Sequence, residues 1–147
     1  MTLWLSQGDV KTCIDERQLI REMREAFEAI SQQNRCAAPK PQRIRADLSS
    51  VDGAPSNASA MILVPGVVPG ISAYTVKVHA KYPENPRQGL PAIQGVIQLF
   101  DARNGQLLAV LDSPIVTAHR TAAAAVVATD VLARKDSRKV AVIGAGV

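Results

Sequence analysis

Between Asp15 and Ile30 the apolar residues Leu19, Met23, Phe27 and Ile30 return at three- and four-residue intervals, with Glu16, Arg17, Arg21, Arg24 and Glu28 between them. That period predicts an amphipathic helix resting on a core. Asp15 occupies the N-cap position with Gln18 three residues on, and Ile14 and Leu19 sit where a hydrophobic staple closes. Acidic residues interleave with the arginines, which speaks against a basic helix lying on a membrane surface. The stretch 72–80, SAYTVKVHA, has the other period. Alternation puts Tyr74, Val76, Val78 and Ala80 on one face of a strand and Thr75, Lys77 and His79 on the other. The first face reads as core, and the second carries a cation at its middle.

Around these two elements the pattern predicts strands at 42–48, carrying Arg43 and Arg45, at 59–64, at 95–100 and at 106–111. Residues 37–41, 49–59 and 82–91 read as loops, and the prolines and glycines of 65–70 as a turn. Asn104-Gly105 joins the last two strands as a hairpin. A second helix is expected from Ser113 as N-cap and Pro114 as first helical residue, through the alanines 122–125, to about Arg134. Residues 139–143, KVAVI, show no alternation and read as a strand buried on both faces, as in a parallel sheet. The order of elements is α+β, with an α/β unit beginning at the end.

Composition narrows the possibilities. A chain of 147 residues, 47% hydrophobic and 20% charged, has the size and balance of one globular domain. The net charge of +4 comes from scattered basic residues, and only five aromatics exist to stack on bases, so nucleic-acid binding is disfavoured. Cys13 and Cys36 form no CxxC pair, which fits two reduced thiols in a cytoplasmic protein. No secretory signal is visible, and no run reaches the roughly 18 apolar residues of a membrane span. His79 and His119 have no carboxylate or cysteine at ligand spacing, so both read as structural or exposed and no metal site is expected.

Gly144-Ala145-Gly146-Val147 follows the KVAVI strand. Strand followed by GxG opens a dinucleotide-binding fingerprint, although glycines in turns are common. On this reading the chain is cut inside a βα turn.

The ordered pieces VKV around Lys77, GLP at 89–91, LFDARNGQLLAVLD at 99–112, TAHRTAAAA at 117–125 and LARKDSRKVAVIGAGV at 132–147 resemble the ornithine cyclodeaminase/mu-crystallin family. PQR at 41–43 and LVPG at 63–66 fit more loosely. T-x-x-R-T-A-A is the most specific of these motifs. The resemblance implies a mixed-sheet substrate-binding and dimerisation domain over 1–134, followed over 135–147 by the first strand of a truncated Rossmann-type α/β domain for NAD or NADP. It implies hydride transfer at the carbon of a small amino or imino acid that bears the nitrogen and the carboxylate.

By the same resemblance Arg43, Lys77 and Arg120 hold the substrate carboxylate, with Lys77 the candidate catalytic residue. Arg120 also touches the cofactor, and Ala92, Gly144, Gly146 and Val147 line its site. Thr117, Arg120 and Thr121 share one face in the first turns of a helix, where anions are favoured, and the two threonines are further cofactor candidates. A guanidinium with parallel donors and a compact ammonium suit a carboxylate.

The sequence departs from the family at three places. Ile62 stands where cyclodeaminases carry a glutamate, Ala92 where several members carry a hydroxyl residue, and Ile93 where mu-crystallin-like ketimine reductases carry a histidine. The expectation is an NAD(P)-dependent oxidoreductase or cyclodeaminase fragment, homodimeric and inactive by itself. The alternative is a non-enzymatic dimeric or small-anion-binding module.

Overall fold

The computed structural model describes residues 1–34, 42–55 and 60–144. Cys36, Gly146 and Val147 therefore lie outside the described residues. Six strands form one mixed sheet, in the order β1 (Leu3–Leu5), β6 (Leu107–Asp112), β5 (Ile93–Asp101), β4 (Ala73–Lys81), β3 (Met61–Val67), β2 (Ile44–Ala46). Only β1 and β6 run parallel; the other neighbours are antiparallel. Among the described residues three α-helices accompany the sheet, α1 (Gln7–Cys13), α2 (Glu16–Asn34) and α3 (Ser113–Leu132).

The helix expected from Asp15 forms as α2, and the Asp15 carboxylate accepts the Gln18 backbone N–H at 2.8 Å. Ahead of it stands α1, which the apolar pattern did not announce. A readable cap starts it: Ser6 Oγ accepts from Asp9 N, and the Asp9 carboxylate accepts from Ser6 N at 2.9 Å. The second long helix forms too, but its cap residue is Asp112, and Ser113 is its fully buried first residue. Ala123 and Val127 are buried along α3, which packs against α2, and Arg24 of α2 bonds Asp130 of α3 at 2.5 Å. Small side chains on α3 permit the close approach of the two helices.

Length and apolar character alone would let α3 cross a membrane, so a span-length segment exists that the sequence reading did not count. Its contacts tie it instead to α1, α2 and β5.

Two predicted turns and strands are redrawn. The turn expected at 65–70 begins later, because Pro65 and Gly66 continue β3 opposite Val76 and Thr75. Proline is tolerated there because β2 pairs only with Met61, Ile62 and Leu63, leaving Pro65 on an open edge. The strand expected at 139–143 is absent. Val140, Val142 and Ile143 are 76%, 83% and 100% exposed and pair with no strand among the described residues. A double-sided apolar strand needs neighbours on both edges, and here it has none.

The β5–β6 hairpin closes as expected, with Asp101 N donating to Gln106 O at 2.9 Å and Gly105 at a φ of +74°. The Asp101 carboxylate is buried and accepts three bonds from Arg103, from its backbone N at 2.8 Å, Nε at 3.0 Å and Nη2 at 2.6 Å. These bonds hold its pKa down to about 2. The depressed value makes the pair stabilising above pH 3.8, with the contribution lost as pH falls towards 2. Asp101→Asn should therefore melt at lower temperature than the wild type at neutral pH. The gap between the two should close in acid, and an unchanged gap from pH 7 to pH 2 would refute the assignment.

Candidate functional site

The register of the sheet assembles the site. Lys77 in β4 stands between Val64 of β3 and Ile97 of β5, and Ile97 in turn faces Leu111 of β6. The ammonium thus rises from a row of aliphatic side chains. At its end Lys77 Nζ donates to Thr117 Oγ1 of α3 at 2.5 Å, and Thr117 Oγ1 donates to the Ser113 carbonyl at 2.7 Å. The helix therefore covers the face of β4 that carries Thr75, Lys77 and His79. Alternation assigned the core to the opposite face, where Ala80 is buried. That face, with Tyr74 stacked on Phe100 at 5.0 Å, carries no helix among the described residues, and Ile44, Val67 and Val96 on it are exposed.

Electrostatics show which cations meet. Burial pushes the Lys77 ammonium below its ordinary 10.5, and the Arg120 guanidinium adds to the shift. His79 is lowered first by burial and then by the charges of Lys77, Arg43 and Arg120. His79 is thus within electrostatic reach of all three predicted carboxylate ligands, beside the hollow between Lys77 and α3. Arg43 is the residue before β2, whose Ile44 pairs with Leu63, while Arg120 comes from one turn beyond Thr117. No carboxylate contributes to the shift of either Lys77 or His79. A half-buried ammonium with two exposed guanidinium groups in electrostatic reach of the same face, and no carboxylate shifting it, can receive an anion from outside.

Of the two histidines read as structural or exposed, His79 is half-buried in β4, two residues from Lys77 on the same face. Alternation alone already placed the two residues on one face; what the sequence lacked was the knowledge that a helix covers it. His119 lines a separate apolar pocket with Leu5, Val10, Leu111 and Val116. Cys13 is a free, exposed thiol at the end of α1.

Thr117 also lines an open cleft of about 830 Å³. Ala92, Thr117, Ala118, Thr121 and Ala122 line it together with Leu90 and Pro91. Three of the predicted cofactor residues, Ala92, Thr117 and Thr121, therefore share one cavity wall. Arg120 borders the apolar pocket of His119 instead, and Gly144 stands exposed in the segment after α3. Among the described residues no cluster of His, Cys, Asp or Glu could hold a metal ion.

The sequence profile of the ornithine cyclodeaminase/mu-crystallin family matches residues 2–147. This chain belongs to that family. A Δ(1)-pyrroline-2-carboxylate reductase of Paracoccus denitrificans is 42% identical over 73 residues, which are 50% of this chain and 23% of that protein. The ketimine reductase mu-crystallin of Mus musculus is 40% identical over 86 residues, 56% of this chain and 28% of its own length. Among solved structures, Thermococcus litoralis Δ(1)-pyrroline-2-carboxylate reductase in complex with NADH and L-proline superposes with a TM-score of 0.79 at 34% identity. That match covers 93% of this chain and 40% of the solved one. An archaeal alanine dehydrogenase dimer with bound NAD gives 0.78 at 26% identity, over 92% of this chain and 38% of that chain. As a family member, the present chain thus spans well under half the length of these relatives.

Proposed function

We propose that this chain binds the carboxylate of a small amino or imino acid between Arg43, Lys77 and Arg120, as the acid-binding part of an NAD(P)-dependent oxidoreductase or cyclodeaminase. The observation that carries the reading is the half-buried Lys77 ammonium, set among aliphatic side chains and bonded to Thr117, with Arg43 and Arg120 in electrostatic reach of the same face. Guanidinium groups supply paired donors to the two oxygens of an acid, and the Lys77 ammonium, steadied by Thr117, supplies a point charge. The names of the relatives, reductases of cyclic imino acids and an amino-acid dehydrogenase, agree with such a ligand.

The cleft that Thr117 lines suits a nicotinamide cofactor in chemistry. It is roomy, its wall is of small side chains, and the Thr117 and Thr121 hydroxyls line it. Ala92, Thr117 and Thr121 would hold the cofactor there, and it would give or take a hydride when bound. The chain's own part is to fix the acid beside it. We assign residues 1–134 to the acid-binding and dimer-forming unit and 135–147 to the start of a nucleotide-binding unit. The helix-free sheet face, with Ile44, Val67 and Val96 exposed, is the proposed homodimer surface. The chain by itself is expected to bind an acid without turning it over.

Calorimetric titration with 2-oxopentanoate tests the acid site. Binding should weaken as pH rises, because the anion needs the protonated ammonium, and the decline should begin below 10.5, where an ordinary lysine would still be charged. Absent binding at neutral pH, or an affinity flat up to 10.5, would refute the site.

A further inference from the structure

The hollow holds one group that carboxylate binding does not use. His79 lies two residues beyond Lys77 on the same strand face, and its cross-strand neighbours are Ile62 on β3 and Gly95 on β5. Ile62 is aliphatic and Gly95 has no side chain, so neither flank supplies a hydrogen-bond acceptor from a side chain. Thr117 Oγ1 is already committed, accepting from Lys77 and donating to Ser113.

The imidazole itself is asymmetric. Nδ1 is buried and has no hydrogen-bond partner, whereas the residue as a whole remains partly accessible. A proton on Nδ1 would be a donor sealed from water with nothing to receive it. Burial and the surrounding cations keep the ring neutral, so it carries a single proton. That proton belongs on Nε2, the nitrogen that is not among the buried, unpartnered atoms. Among these described residues, the surroundings of His79 therefore present donors and cations without a free side-chain acceptor.

An acid held by Arg43, Lys77 and Arg120 brings its α-substituent to this surface. An α-ammonium would add a fourth cation with N–H groups and nothing to accept them. An α-oxo oxygen or a neutral α-imino nitrogen has a lone pair that an imidazole N–H can satisfy. We propose that His79 is a substrate-selecting residue: its Nε2–H donates to the α-oxo oxygen or α-imino nitrogen of the bound acid, so the hollow takes α-oxo and α-imino acids in preference to α-ammonium acids. The inference rests on the carboxylate site proposed above and adds the discrimination at the next atom.

Three probes of equal chain length separate the two claims: 2-oxopentanoate, pentanoate and L-norvaline, titrated against the whole chain. The wild type should bind 2-oxopentanoate about five- to tenfold more tightly than pentanoate, as one hydrogen bond warrants, and L-norvaline no better than pentanoate. His79→Phe should abolish the preference while leaving pentanoate affinity in place, and His79→Gln, which keeps an N–H donor, should retain part of it. Should the variants not fold, nuclear magnetic resonance of the wild-type imidazoles gives the same answer. His79 resonances should move with 2-oxopentanoate and stay with pentanoate, with His119 as the reference. Equal loss of both acids in His79→Phe, or equal movement of His79 with both, would overturn the role of His79 while leaving the carboxylate site standing. If neither acid binds the wild type, the carboxylate site itself is refuted.

Discussion

Gly95→Ala should destabilise the protein by about 3 kcal/mol, the upper end for overpacking a well-filled site. A Cβ at this position would overlap the carbonyl oxygen of Val78 and stand only 2.7 Å from His79 Cβ and 2.8 Å from His79 Cα. Backbone and Cβ cannot rotate away, so relief requires β4 and β5 to part. Those strands pair over nine residues in the middle of the sheet, and Lys77 and His79 lie on one of them. The damage should therefore reach the site as well as the fold. Gly66→Ala is the control: the nearest atom there is the Thr75 hydroxyl, the end of a side chain that can turn. Denaturant midpoints of the two variants should differ clearly, and a Gly95→Ala protein as stable as Gly66→Ala would contradict the packing described.

Lys77→Met should separate function from stability. Loss of a charged donor should weaken 2-oxopentanoate binding by at least about tenfold. Yet the variant should melt above the wild type at neutral pH. A methionine fits along Val64 and Ile97 without the desolvation and Arg120 repulsion that lower the lysine pKa. The sign follows from linkage. Because the folded-state pKa lies below the unfolded 10.5, the unfolded chain holds the extra proton in that window, and wild-type stability rises with pH there. In Lys77→Met that rise should vanish. Thermal melts from pH 7 to 10.5 would measure it, and a variant less stable than the wild type throughout would show that Lys77 is a structural residue.

Much of this architecture could be read from one-dimensional pattern. The Asp15 cap and the Leu19–Ile30 period gave α2 because helical signals repeat within a few residues and are set by local geometry. Asn104-Gly105 gave the hairpin because few residues tolerate its positive φ. The capping box of α1 was equally legible and went unread for want of an apolar run behind it. Pro65 misled because proline is a breaker in general but harmless on an edge, and which strand ends where is decided by pairing.

The site divides along the same line. Sequence by itself placed Lys77 and His79 on one face of a strand and Thr117, Arg120 and Thr121 on one face of a helix, since both periods are properties of a single element. It could not say that the helix would lie on the lysine face, or that Arg43, two strands away, and Arg120 would come within electrostatic reach of His79. Those relations join residues up to seventy-odd positions apart, and only the register of the sheet and the packing of α3 upon it bring them within electrostatic reach.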